Sequence, residues 1–136
     1  MVSLEADIIK ETLGNELPNL QAIYVFGSHA VQQEQSNSDF DIALLQPFGH
    51  SISRLDLFNL QESLASRLKS DVDLIDLSAA SLVLRFQIIS TGKLIYCRKG
   101  FNPAEYEMTV MSMYQRFNLE RADLILESTR TGRVYS

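Results

Sequence analysis

The apolar positions of this 136-residue chain recur with two different periods, and the changes of period mark out helices and strands. Over residues 3–17, Leu4, Ile8, Leu13 and Leu17 fall near one helical face, with Ser3 as cap and Pro18 as stop. Residues 22–26 form a short apolar run rich in β-formers, which predicts a strand. A short helix is expected over 29–35, a turn over Ser36-Asn37-Ser38, and a second strand over 39–45, ended by Pro47 and Gly49. Residues 53–68 read as a helix with Leu57, Leu60, Leu64 and Leu68 near one period. Its start pairs Ser53 with Asp56 in a capping-box pattern. Alternation over 71–77 puts Val72, Leu74 and Asp76 on one strand face and Asp71, Asp73, Ile75 and Leu77 on the other. A helix over 78–91 follows, with Ser78 as the expected cap and Gly92 as its stop, and then a strand over 93–97. Asn102, Pro103 and Glu105 open a long helix that runs to about residue 129. At about 1.5 Å per residue it spans nearly 40 Å, more than a domain of this size covers.

The polar residues that interrupt these patterns carry the chemistry. Asp39 and Asp41 lie two apart on one strand, so they share a face, while Phe40, Ile42 and Leu44 turn to the core. Two adjacent carboxylates repel each other unless a positive charge lies between them, and a hard divalent cation with oxygen ligands meets that need. The strand before them runs into Gly27-Ser28. Without a side chain at Gly27, backbone N–H groups can approach a phosphate closely. Ser28 adds a hydroxyl donor at the start of the expected helix, a favourable place for an anion. A phosphate-holding turn beside a metal-holding strand suggests nucleotide chemistry.

Gly27-Ser28, ten intervening residues, then Asp39-x-Asp41 resemble the signature of the DNA polymerase β-like nucleotidyltransferases. The small size resembles the minimal branch of that superfamily, and the resemblance runs from about Leu20 to Tyr96. It implies an α/β (α+β) palm: a small mixed sheet of about four strands flanked by helices, here with a long C-terminal helix. It also implies a third carboxylate on the neighbouring strand, which Asp73 matches within Val72-Asp73-Leu74; Asp71 is then a solvated strand end and Asp76 belongs to the exit turn. Asp39, Asp41 and Asp73 would be the catalytic metal ligands, holding two Mg²⁺ ions, and Gly27 and Ser28 would bind the phosphates of ATP. The implied partner is a HEPN-family toxin, a helical RNase, in a hetero-oligomer. The implied reaction moves AMP to a tyrosine hydroxyl of that toxin. One departure is visible: where related chains often carry Ala-Arg-Gly after the Gly-Ser pair, Ala30 is followed here by Val31 and Gln32, so an arginine contact is missing.

Bulk properties narrow the remaining choices. The length suits a single domain over 1–136, with a core over about 20–97 and the helix over about 103–130. A net charge of −5 argues against a broad nucleic-acid surface, which needs a basic face. One cysteine, Cys97, leaves no internal disulfide and fits a reducing cytoplasm. Neither a signal peptide nor a membrane span is expected. Arg85 sits in an apolar run and needs a partner: a carboxylate, a nucleotide phosphate or a second protein. His29, beside the turn, stays outside the catalytic set. Tyr106, Val110, Met111, Met113, Tyr114 and Phe117 cluster on the long helix, about half of them expected to pack on this domain and the rest suited to a protein partner. Two alternatives stand beside AMP transfer to a toxin: an antitoxin that neutralises by binding alone, and a nucleotidyltransferase acting on a small-molecule hydroxyl.

Overall fold

The computed structural model describes residues 4–27 and 40–130. Four strands, β1 (Ala22–Phe26), β2 (Phe40–Leu45), β3 (Val72–Asp76) and β4 (Lys93–Cys97), form one mixed sheet in the order β3-β2-β1-β4. β1 runs antiparallel to both β2 and β4, and β2 runs parallel to β3. The expected bounds of β1 and β4 match, because each apolar run is closed on both sides by polar or turn-forming residues. β4 meets β1 through an irregularity between Ile23 and Tyr24, so Ile95 and Tyr96 both pack toward one core.

Helices cover both faces. On one, Ile23, Val25, Phe40, Ile42, Leu44, Val72 and Leu74 meet α1 (Leu4–Glu16) and α2 (Arg54–Leu68). On the other, Ala22, Tyr24, Ala43 and Leu45 meet α3 (Leu82–Thr91) and α4 (Pro103–Arg130). Phe40, Ile42 and Leu44 are buried as the alternation predicts. The face of α1 differs from the expected one. Ala6, Ile9, Thr12 and Leu13 are buried, while Leu4 is 73% exposed. Ile8 and Ile9 are both apolar, and the helix is rotated so that Ile9 meets the sheet. β3 is an edge strand, and the Gln61 side chain from α2 accepts the Leu74 N–H at 2.9 Å, which satisfies one of its outward donors.

The start of α3 also differs. Ser81, not Ser78, is its N-cap and accepts the Leu84 N–H at 3.2 Å. Ser78 lies in a 3₁₀ turn, Leu77–Ala79, where Asp76 Oδ1 accepts both its N–H and its hydroxyl. The exit-turn assignment of Asp76 stands, and the buried carboxylate takes the hydroxyl that would otherwise have capped the helix. Gly92 ends α3 with φ −81°, so no left-handed turn is needed there. A Cβ at Gly92 would collide with the Ile88 carbonyl and press on the Val25 carbonyl. The glycine therefore lets the end of α3 sit close to β1. Ser53 caps α2 by accepting the Asp56 N–H, and Asn102 caps α4 through the Ala104 and Glu105 amides.

Candidate functional site

Three of the five expected site residues come together at one end of the sheet. Register pairs Phe26 with Asp41 across β1 and β2, and Asp41 with Asp73 across β2 and β3. Gly27 follows Phe26 directly. Asp41 and Asp73 are thus opposite each other on neighbouring parallel strands, about 4.8 Å apart at the backbone, and share a pleat face. Gly27 has φ +75°, a left-handed conformation that turns the chain out of β1. A Cβ built on Gly27 would run into the Asp41 carboxylate, with Cγ only 3.1 Å away. The bare glycine therefore makes room for the Asp41 carboxylate, a role the motif alone does not reveal.

The other two site residues, Ser28 and Asp39, lie outside the described residues, as do His29, Val31, Gln32, the short helix expected over 29–35 and the turn at 36–38. Among the described residues no three potential ligands of the His, Cys, Asp or Glu type gather into one group. Asp41 and Asp73 supply two hard oxygen donors in register, and the cradle over Gly27 reserves space for the first of them, so the donor set fits a divalent cation. Asp71 is exposed at the strand end, and its carbonyl accepts the Phe40 N–H at 2.9 Å, which pins the start of β2 beside β3.

Behind this end of the sheet α4 is tied down by contacts that no motif announces. The Tyr24 hydroxyl donates to Glu107 Oε2 at 2.8 Å across 83 residues of chain. Burial pushes the Tyr24 phenol well above its usual range, and the Glu107 carboxylate pushes it further. Phe86 of α3 stacks on Tyr114 of α4, with centroids 3.9 Å apart and planes 5° from parallel. Tyr106, Val110 and Tyr114, spaced four apart, face the domain, while Met111, Met113 and Phe117 are exposed. That division agrees with the expectation that about half of the cluster packs internally. Arg85 Nε donates to the Ala80 carbonyl at 3.0 Å, and among the described residues its guanidinium forms no ion pair. Its position is away from the Asp41–Asp73 pair, at the other end of the sheet, where it lines a cavity with Leu45 and Tyr106.

Comparison with known proteins places this geometry. The family model described as Polymerase beta, Nucleotidyltransferase matches residues 7–100. A protein adenylyltransferase, MntA, from Shewanella oneidensis is 36% identical over 125 residues, which cover 92% of this chain and 88% of that protein. A crystal structure of a toxin–antitoxin with AMP-PNP superposes with a TM-score of 0.81 at 35% identity, covering 93% of this chain and 99% of that one. The MNT antitoxin in complex with the tri-AMPylated Shewanella oneidensis HEPN toxin gives 0.75 at 33% identity, covering 93% and 97%.

Proposed function

This chain belongs to the polymerase β family of nucleotidyltransferases, and from that premise we propose that it is a protein adenylyltransferase antitoxin. It transfers AMP from ATP to a tyrosine hydroxyl of a HEPN-family RNase toxin and so silences it. The observation that carries this reading is the in-register pair Asp41 and Asp73, with Gly27 shaped to receive the first carboxylate. The likeness to an adenylyltransferase and to an antitoxin bound to an AMPylated toxin points the same way.

In the proposed reaction Asp39, Asp41 and Asp73 would hold the divalent cations, taken to be two Mg²⁺. When bound, such ions neutralise phosphate charge and lower the pKa of the attacking hydroxyl. The chain's own residues bind and orient. In this reading Gly27 and Ser28 would bind the outer phosphates of ATP, as the motif implies. Asp73, exposed on the adjacent strand opposite Asp41, would complete the ligand set on the acceptor side. The tyrosine oxygen forms a bond to the α-phosphorus, the bond to the bridging oxygen breaks, pyrophosphate leaves, and the tyrosine proton passes to solvent. Every group needed for this is a matter of positioning and charge, with no covalent enzyme intermediate. A rigid sheet end fixes that positioning better than a loop does.

In this reading the acceptor is a tyrosine of the toxin, a second protein. The exposed Met111, Met113 and Phe117 of α4 give a partner apolar contact beside the domain. A cytoplasmic setting would supply the ATP and keep the exposed free thiol of Cys97 reduced. Among the described residues no helix is long and apolar enough to cross a membrane.

The test is growth rescue of cells that express a cognate HEPN toxin. Wild-type chain should restore growth, and an Asp39→Asn/Asp41→Asn double variant that still binds the toxin should not. Full rescue by the variant would replace transfer with neutralisation by binding.

A further inference from the structure

A cavity lies at the opposite end of the sheet from Asp41. Ala22 pairs with Leu45 there, four residues along β2 from Asp41 and about 13 Å away at about 3.3 Å per residue. The cavity holds about 610 Å³, within the size range of small-molecule sites. Leu45 and Leu77 form an apolar wall, and Phe48 stands at the rim fully exposed to solvent.

The polar groups of this cavity are unusual in a chain of net charge −5. Arg85 brings a half-buried guanidinium with Nε spent on a carbonyl and no carboxylate paired to it among the described residues. The Tyr106 hydroxyl and Gln46 Oε1 are buried and, among the described residues, have no hydrogen-bond partner. A buried polar atom left unpaired costs on the order of 1–3 kcal/mol, and two in one wall ask for a reason. Arg85 and Tyr106 both line the cavity, and the Arg85 guanidinium acts on the Tyr106 phenol against the Asp76 and Glu107 carboxylates. Gln46 borders a second, smaller cavity as well, so Arg85, Tyr106 and Phe48 carry more of the argument.

We propose that this cavity is a small-molecule site, separate from the catalytic end, for a compact anion that carries a flat apolar ring. Arg85 takes the phosphate or carboxylate through its two free nitrogens, a geometry that suits either group. The Tyr106 hydroxyl, buried in this structure, would join from α4 only through a rotation of its side chain toward the cavity. Phe48 covers the ring, which explains a phenylalanine standing bare in solvent beside a cavity. Gly49, with φ +86°, lets the segment carrying Phe48 turn sharply at the rim. An occupant would link β2 and α3 to the first turns of α4, next to the Tyr24–Glu107 hydrogen bond.

The experiment is a two-dimensional ¹⁵N NMR titration of the full chain in metal-free buffer containing EDTA. The probes are phenyl phosphate, benzoate and inorganic phosphate. Saturable shifts at residues 45–51, 77–78, 85 and 106 with phenyl phosphate or benzoate are expected, and the stronger of the two names the anion. Inorganic phosphate alone should bind more weakly than phenyl phosphate. Arg85→Gln should weaken the preferred probe about tenfold or more, the loss typical of a charged hydrogen bond. Phe48→Ala should weaken it several-fold, and because that side chain is solvent-exposed the variant keeps its fold even if Arg85→Gln does not. The proposal is overturned if neither ring-bearing probe gives saturable shifts, if the shifts map only to residues 26–27, 41 and 73, or if binding survives in the variants that fold.

Discussion

The Asp41 carboxylate occupies the space where a side chain on residue 27 would stand. Gly27→Ala should therefore displace the proposed metal ligand in addition to straining a backbone at φ +75°. A shift of about 1 Å at a reacting centre can cost on the order of 100-fold in rate. AMP transfer should fall by about that factor, while urea denaturation shows a loss of only about 1–2 kcal/mol, the usual cost of a left-handed non-glycine residue. Tyr24 gives a second prediction at this scale. Its folded-state pKa lies above the unfolded value of about 10, so the unfolded chain releases that proton first as pH rises. The contribution of the neutral phenol is complete below about pH 10 and is lost progressively as pH rises from there toward the higher folded-state pKa. Stability measured by denaturation should start to fall above about pH 10 and keep falling as pH rises, and less steeply in Tyr24→Phe.

At the level of elements, the sequence carried most of the boundaries and little of the register. β1 and β4 could be read to the residue because their apolar runs have clean ends. The α3 cap could not, because Ser78 and Ser81 both fit a cap pattern and the choice is made by Asp76, which takes Ser78 into the 3₁₀ turn. Ser81→Ala should lower stability by about 1 kcal/mol, as loss of an N-cap does. Lys69 ends α2 in the left-handed region with φ 55°, so Lys69→Gly should raise stability by about 0.5 kcal/mol in the same denaturation experiment. The pairing of Asp41 with Asp73 depends on parallel neighbours separated in sequence by α2. Motif spacing along one strand cannot show that pairing, which the register alone reveals. The Tyr24–Glu107 bond and the cavity beside Arg85 are likewise long-range features with no local signature.

For the whole molecule, the sheet has one end with acids beside a bare glycine, another with a cationic cavity, and a helix longer than either needs. α4 has 28 residues, about 42 Å, against strands of five or six residues and about 17–20 Å. Replacing the exposed Met111, Met113 and Phe117 with glutamate should leave the melting temperature nearly unchanged. The same change should weaken binding to a HEPN-family partner about tenfold or more, as removal of apolar anchors does.

The measurement that tests the central claim most directly is the intact mass of a cognate HEPN-family partner after incubation with this chain, ATP and Mg²⁺. One or more added AMP units are expected, located on tyrosine by peptide mapping and absent when Asp41→Asn replaces the wild type. A partner of unchanged mass, silenced in a stable complex, would contradict the transferase account and leave binding alone as the means of neutralisation.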